Sequence, residues 1–123
     1  MQASGLPPLL DLSRFRWENR LVLIDNDKNY TETLTRLVQK NAAVNGRDIL
    51  WFILHQGSVA TNYSGKITAY FASKVRQIYR IGQSQILLID KDDGVKSRLD
   101  QVDLQAIFTE IDAMPMRRRE MRD

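Results

Sequence analysis

The chain lacks cysteine, which excludes disulfide bonds, thiolate nucleophiles and zinc–cysteine sites. Its single histidine, His55, has no cysteine partner, so histidine-based triads and metal clusters are disfavoured. No apolar run approaches the roughly 20 residues that a membrane-spanning helix needs. The sequence also shows no signal-peptide pattern. A chain that begins after a removed signal peptide would have the same appearance.

What is present is ordinary for one globular domain: 123 residues, 43% hydrophobic and 27% charged. The formal net charge of +3 lies at the ends of the chain. The segment Arg14–Arg20 has three arginines and one glutamate, and residues 115–123 have four arginines, one glutamate and one aspartate. This excess is too small for a nucleic-acid-binding protein. It favours solubility and helix-end stabilisation, or an anionic partner.

Three continuous apolar runs predict strands that are covered on both faces: Leu21–Asp25, Ile49–Leu54 and Ile86–Asp90. Helical spacing of apolar residues predicts a helix that starts near Tyr30 and is closed by Asn45-Gly46. The polar run from Gln56 to Gly65 is interpreted as a loop. A second amphipathic helix follows, marked by Ile67, Tyr70, Phe71, Val75 and Ile78 and closed by Gly82.

The C-terminal third predicts a hairpin and a last helix. Lys91–Gly94 is a turn signal, so Val95–Arg98 should pair antiparallel to the third strand. Asp103 should cap a helix that Pro115 ends. The order β-α-β-α-β-β-α predicts an α/β thioredoxin-like three-layer sandwich with a mixed four-stranded sheet. We expect residues 1–11 to be a flexible lead-in and residues 12–123 to be one domain.

Three stretches, Leu12–Leu21, Leu87–Lys96 and Ile111–Met121, resemble the domain-of-unknown-function 4174 family. The most specific is the ending Asp-Ala-Met-Pro-Met-Arg-Arg-Arg-Glu-Met. The resemblance implies a thioredoxin-like domain, found in small bacterial proteins that are often exported and in secreted animal proteins with sushi repeats or in the extracellular matrix. It therefore implies a periplasmic or extracellular location, with the cytoplasm left open, and it supplies no catalytic residues.

The position after the first strand, where a thioredoxin-like fold carries its redox pair, holds Asn26, Asp27, Lys28 and Asn29. Thiol–disulfide exchange is therefore excluded. Asp25 and Asp27 have the spacing of an Asp-x-Asp phosphatase motif, in which one carboxylate attacks phosphorus and the other acts as acid and base. Lys28 and Asn29 stand where that motif needs a small residue and a threonine, so turn and capping roles are favoured.

Other short motifs have simpler interpretations. Asp90, Asp92 and Asp93 precede a glycine but lack the closing glutamate of a calcium loop, which favours a hairpin turn. Asn62-Tyr63-Ser64 fits a glycosylation sequon, which matters only in a eukaryotic secretory pathway. We predict no metal and no cofactor.

The remaining feature is a candidate basic surface, built from arginines of both charged segments and one aromatic residue. Its members are Arg14, Arg16, Trp17, Arg20, Arg117, Arg118 and Arg119. Such a surface suits sulfated, phosphorylated or uronic-acid polymers. Two alternatives stay open. Asp112, Glu120 or Asp123 can pair with these arginines and fix the tail to the domain, and Phe15, Met114 and Met116 can form a contact for a protein partner.

The sequence thus predicts a non-catalytic binding or accessory module for a protein or an anionic glycan, without nucleic acid and without a membrane span. The oligomeric state is left open. An alternative from another class is phosphoester hydrolysis that depends on Asp25 and Asp27.

Overall fold

A computed structural model of the chain describes residues 7–25, 28–82 and 85–122. In these residues one mixed sheet has the strand order β3-β2-β1-β4-β5. Its strands are β1 (Arg20–Asp25), β2 (Ile49–His55), β3 (Ser58–Thr61), β4 (Gln85–Ile89) and β5 (Val95–Leu99). β1 and β2 are parallel, and the other neighbouring strands are antiparallel. The mixed α/β class is confirmed, but the prediction of four strands is wrong, because part of the polar run after β2 folds back along it as β3.

The helices are α1 (Tyr30–Gln39), α2 (Asn41–Gly46), α3 (Phe71–Tyr79), α4 (Leu104–Asp112) and α5 (Pro115–Arg122). The single helix predicted after β1 is divided at Lys40 into α1 and α2. Asp103 caps α4 as predicted, since its carboxylate accepts the backbone N–H of Ala106 at 3.0 Å. Pro115 follows α4 and also begins α5, because proline at the first helical position loses no internal hydrogen bond.

Hydrophobic clusters cover both faces of the sheet, which gives three layers. One face packs against α3 and the residues before β1, and the other packs against α1, α2 and α4. Every residue of β1 is buried, with Leu21 and Leu23 in one cluster and Val22 and Ile24 in the other. Because successive side chains enter different clusters, the sequence of β1 is a continuous apolar run from Leu21 to Ile24.

The lead-in prediction is wrong for the residues that adjoin the domain. Leu9 is buried and forms a parallel bridge with Ile67. Its N–H donates to the Lys66 carbonyl at 2.9 Å, and its carbonyl accepts the Thr68 N–H at 2.9 Å. This bridge holds Ile67 in extended backbone, so α3 begins at Phe71 and not near Ile67. Residues 1–6 lie outside the described part of the chain.

The predicted glycine caps are also wrong. No described glycine has a positive φ, and Gly46 lies inside α2. The left-handed conformation after α3 is taken by Arg80, with φ of 52°, and the one before β2 by Asp48, with φ of 55°. The hairpin turn is confirmed, because Asp90 donates its N–H to the Gly94 carbonyl at 2.9 Å and β5 pairs antiparallel with β4. Within the described residues, no helix is long and apolar enough to cross a membrane.

Candidate functional site

Charged side chains gather where β1 and β2 begin and β4 ends, which we call the amino-terminal edge of the sheet. Four cations and four carboxylates are joined there by ion pairs, and we call this group the edge network. Its members are Arg20, Arg47, Lys91, Arg117, Asp48, Asp90, Asp112 and Glu120. The formal charges of the eight groups cancel.

Arg20 lies at the centre of the edge network and is 0% exposed. Its Nη1 donates to Glu120 Oε1 at 3.1 Å and its Nη2 to Glu120 Oε2 at 3.2 Å, so the carboxylate is bound by both arms of the guanidinium. Nη1 also donates to the Arg47 carbonyl at 3.2 Å. Nε lies 3.4 Å from Asp90 Oδ1 but makes no hydrogen bond. The prediction that Arg20 belongs to a surface is wrong, because Arg20 begins a strand that is covered on both faces.

Lys91 binds the same carboxylate from the end of β4. Its Nζ lies 2.9 Å from Glu120 Oε2 and 2.9 Å from Asp48 Oδ2. Burial would raise the pKa of Glu120, but the hydrogen bonds from Arg20 and Lys91 outweigh burial and lower that pKa to about 2. Burial would lower the pKa of Lys91, but its bonds to Glu120 and Asp48 raise that pKa above its usual value.

A second group of bonds attaches α5 to the end of α4. Arg117 Nε lies 3.2 Å from Asp112 Oδ1, and Arg117 Nη1 donates to the Gly46 carbonyl at 2.9 Å. Arg47 binds both oxygens of Asp112, at 3.0 and 2.8 Å, and its guanidinium lies 4.5 Å from the Phe108 ring centre. These bonds, that of Arg47 first, lower the pKa of Asp112. The alternative in which acidic residues fix the tail is thus confirmed for Asp112 and Glu120; Asp123 lies outside the described residues.

The three stretches that carry the family resemblance meet in the edge network. The first contributes Arg20, and the second contributes Asp90 and Lys91. The third contributes three side chains, those of Asp112, Arg117 and Glu120. The most specific sequence feature of the chain therefore has a structural task, which is to hold α5 on the domain.

The outward side of α5 has a different character. Arg118, Arg119 and Arg122 are exposed and form no ion pair with any carboxylate of the described residues. Met121 is 49% exposed, and with Arg118 and Arg122 it lines a shallow cavity of about 450 Å³. We call Arg118, Arg119, Met121 and Arg122 the outer basic face. Arg122 was not among the predicted site residues, although its position three and four residues after Arg119 and Arg118 places all three on neighbouring turns.

Trp17 lies at the same edge of the sheet and is 56% exposed. Its backbone has φ of 69°, a left-handed conformation that a bulky residue rarely adopts, and its N–H donates to the Lys91 carbonyl at 2.6 Å. The Arg16 guanidinium lies 5.6 Å from the centre of the Trp17 ring. Arg14 is directed elsewhere, since it donates to the Tyr63 hydroxyl at 2.8 Å and the Pro7 carbonyl at 2.6 Å.

The contact surface suggested for Phe15, Met114 and Met116 is wrong for Phe15 and Met114, while Met116 is half-buried. Phe15 and Met114 are both buried, and they belong to the clusters on opposite faces of the sheet. The Phe15 ring packs against Phe52 and Tyr63, with ring centres 6.1 and 5.2 Å apart. Both side chains pack in the core. Trp17 is therefore the exposed aromatic residue of the segment Arg14–Arg20.

The opposite, carboxyl-terminal edge holds the residues considered for hydrolysis. Asp25 is 4% exposed, and Arg76 binds its two oxygens at 2.9 and 3.3 Å. A buried carboxylate engaged on both oxygens is poorly placed to attack phosphorus, and Asp27 lies outside the described residues. His55 stacks on Tyr30 with ring centres 4.3 Å apart. A polar cavity of about 350 Å³ lies nearby, between the start of α1 and residues 100–102.

No group of three or more histidine or acidic residues that could hold a metal ion occurs in residues 7–25, 28–82 and 85–122. The Asn62 side chain has a structural role. It accepts the Trp51 N–H at 2.8 Å and donates to the Ile49 carbonyl at 3.1 Å, which continues the pairing of β2 beyond β3. The amide nitrogen that a glycan would modify is thus used inside the fold.

Fold and site together define a cysteine-free, three-layer α/β domain whose C-terminal helix is attached through charged groups. The family model "Domain of unknown function (DUF4174)" matches residues 11–120, so the chain belongs to this family. Comparisons with curated proteins and with solved structures found no match. The family resemblance of the three stretches is confirmed.

Proposed function

We propose that the protein is a thioredoxin-like domain without thiol chemistry that acts as a non-catalytic binding module for an anionic polymer. The classification is supported by the path of the chain. A β-α-β unit ending in β2 is followed by α3, by the β4–β5 hairpin and by α4, with helices on both faces of the sheet. The extra strand β3 is the outermost strand of the sheet, beside β2, and leaves this core unchanged.

One observation supports the binding role: the edge network pairs the carboxylate of α5 with inner cations and leaves three arginines of α5 exposed. Glu120, the carboxylate within α5, is bound inward by Arg20 and Lys91. The outer basic face keeps three arginines without acidic partners among the described residues. Clustered guanidinium groups favour sulfate, phosphate and carboxylate groups of a polymer, because each forms charge-assisted hydrogen bonds. The Arg16–Trp17 pair adds an exposed aromatic surface at the same edge.

The test is retention on an immobilised sulfated polysaccharide across a salt series. We compare the natural chain with an Arg118→Gln/Arg119→Gln/Arg122→Gln variant and with a matched control, Lys40→Gln/Lys66→Gln/Lys74→Gln. Both variants lose three positive charges from exposed positions. Circular dichroism verifies that each variant is folded.

We expect the natural chain and the lysine control to be retained near physiological salt, and the arginine variant to elute early. The slope of log affinity against log salt should fall by about 3, roughly one unit for each lost contact. If retention of both variants weakens equally, the interaction depends on net charge and not on the outer basic face. Absence of retention of the natural chain would contradict the proposal.

The proposal includes a periplasmic or extracellular location, which rests on the family resemblance. Immunodetection in periplasmic, extracellular and cytoplasmic fractions of the source cells tests it. Recovery in the cytoplasmic fraction alone would contradict it.

A further inference from the structure

The carboxylate of Glu120 occupies a pocket formed by two cations of the sheet edge. Arg20 approaches it with both arms of the guanidinium, and Lys91 approaches the oxygen Oε2 with its ammonium group. Planar bidentate binding by arginine, supplemented by a lysine, is a geometry that selects carboxylates. The pocket therefore has the form of a receptor, and its present occupant belongs to the same chain.

Arg20 and Lys91 are held by groups other than Glu120. Arg20 donates to the Arg47 carbonyl and lies beside Asp90, and Lys91 donates to Asp48. These anchors stand before β2 and after β4, so both cations keep their positions when Glu120 leaves. Arg20 Nε is buried 3.4 Å from Asp90 Oδ1 and has no hydrogen-bond partner.

The attachment of α5 is mostly polar. None of its residues is buried; Met114, which precedes it, is buried, and Met116 is half-buried. Its fixed points are the bonds of Glu120 to Arg20 and Lys91 and those of Arg117 to Asp112 and Gly46. A helix that buries little apolar surface opens locally at a lower free-energy cost than the core helices do.

Charge balance defines the class of ligand. The edge network is neutral with Glu120 in place, so loss of the Glu120 carboxylate while Arg117 stays bound to Asp112 leaves one uncompensated positive charge. A monovalent carboxylate restores neutrality, whereas a dianion such as sulfate would leave a net negative charge beside Asp48 and Asp90. The pocket therefore favours a carboxylate over a sulfate.

We propose that Arg20 and Lys91 form a carboxylate-binding pocket that Glu120 occupies in cis, and that α5 is a latch which opens when another carboxylate takes the place of Glu120. Such a carboxylate can come from a small acid or from an acidic side chain of a partner. The pocket lies beneath α5 and is distinct from the outer basic face.

The first experiment removes the occupant. Glu120→Ala is compared with the natural chain and with Glu18→Ala, which deletes an exposed glutamate that has no ion pair among the described residues. Unfolding temperatures are measured in sodium acetate, sodium chloride and sodium sulfate at equal ionic strength. We expect about 0.2 M acetate to raise the midpoint of Glu120→Ala by about 5 °C above chloride, since a ligand stabilises the folded state that binds it.

The control proteins and the sulfate measurement test whether the effect is specific for a carboxylate in this pocket. The natural chain and Glu18→Ala should show no acetate effect beyond that of chloride, and sulfate should not match acetate on Glu120→Ala. Addition of Lys91→Met to Glu120→Ala should abolish the acetate effect. If Glu120→Ala is unfolded in chloride, acetate must restore its circular dichroism spectrum. Equal behaviour in acetate and chloride overturns the pocket in either case.

The second experiment tests the latch in the natural chain by amide hydrogen exchange. We expect α5 to exchange at least tenfold faster in Glu120→Ala than in the natural chain, with α4 unchanged. In the natural chain, acetate should accelerate exchange of α5 while chloride does not. A short peptide with several glutamates, compared with acetate at equal carboxylate concentration, distinguishes the two sources: a larger acceleration by the peptide than by acetate assigns the pocket to a partner side chain, and an equal acceleration assigns it to a small acid. Unchanged exchange of α5 in every condition overturns the latch.

Discussion

At the amino-terminal edge of the sheet eight charged groups form one continuous network with α5, whereas at the carboxyl-terminal edge the described residues form two separate ion pairs, Asp25 with Arg76 and Glu32 with Arg36, near an open polar cavity. Open α/β sheets usually bind ligands outside the carboxyl ends of their strands. In this chain the three stretches that carry the family resemblance meet at the opposite edge. Fold alone would therefore direct a search for function to the carboxyl-terminal edge.

The two edges also differ in what their charges can do. Arg20 is fully enclosed, and removing one partner of a buried pair leaves the other charge uncompensated. Arg76 is partly exposed, so water compensates part of any loss there. The amino-terminal edge should consequently dominate the response of stability to mutation and to pH.

The largest effect is expected from Arg20→Ala. It leaves Asp90 and Glu120 without their central cation and detaches α5, which should cost about 3–5 kcal/mol of unfolding free energy. Urea titration followed by circular dichroism measures this value. The double variant Arg20→Met/Glu120→Leu should lose less unfolding free energy than Arg20→Met and Glu120→Leu lose together. A loss below about 1 kcal/mol for Arg20→Ala would remove the contrast between the edges.

Acid should act mainly through Glu120. The pKa of Glu120 is lowered to about 2 from 4.5, so its carboxylate contributes stability above pH 4.5 that is lost as the pH falls towards 2. The contribution is on the order of 3 kcal/mol. Unfolding free energies between pH 6 and 2.5 should therefore fall steeply for the natural chain and less steeply for Glu120→Gln. Parallel profiles would assign acid sensitivity to other carboxylates, such as Asp112.

A smaller effect is expected at the carboxyl-terminal edge. Asp25→Asn removes the charge that Arg76 binds but keeps the shape of the side chain, so we expect a loss of about 1–2 kcal/mol, measured by urea titration. Arg76→Gln leaves the buried carboxylate of Asp25 without its cation, so it should cost more than Asp25→Asn. A loss as large as that of Arg20→Ala would mean that the two edges are equally critical.

The smallest effect, and one of opposite sign, is expected at Trp17. Glycine accepts the left-handed backbone without strain, and Trp17 is 56% exposed, so Trp17→Gly should stabilise the fold by up to about 1 kcal/mol if relief of backbone strain exceeds the lost packing. The same variant should reduce retention on the sulfated polysaccharide if the Arg16–Trp17 pair contributes to binding. Lower stability with unchanged retention would assign Trp17 to packing.

The sequence predicted most of the sheet, because buried strands and amphipathic helices are encoded in local periodicity. β1, β2, β4, the hairpin and the capped helix α4 were identified from runs of fewer than ten residues. β3, α5 and the division between α1 and α2 were missed, since polar edge strands, a helix with no buried residue and short helix breaks have no distinctive local pattern. The candidate arginines were found as a group, but composition does not distinguish a buried guanidinium from an exposed one.

By itself, the sequence determined the absence of thiol chemistry, the mixed α/β class, the family and the two basic segments. The tertiary structure alone decided the role of each arginine. Arg20 binds Glu120, a residue 100 positions away, while Arg118 and Arg119, two neighbours of Glu120 along the chain, remain exposed. Adjacent helical residues point in different directions, and the partner that each meets depends on long-range packing, which no local pattern contains.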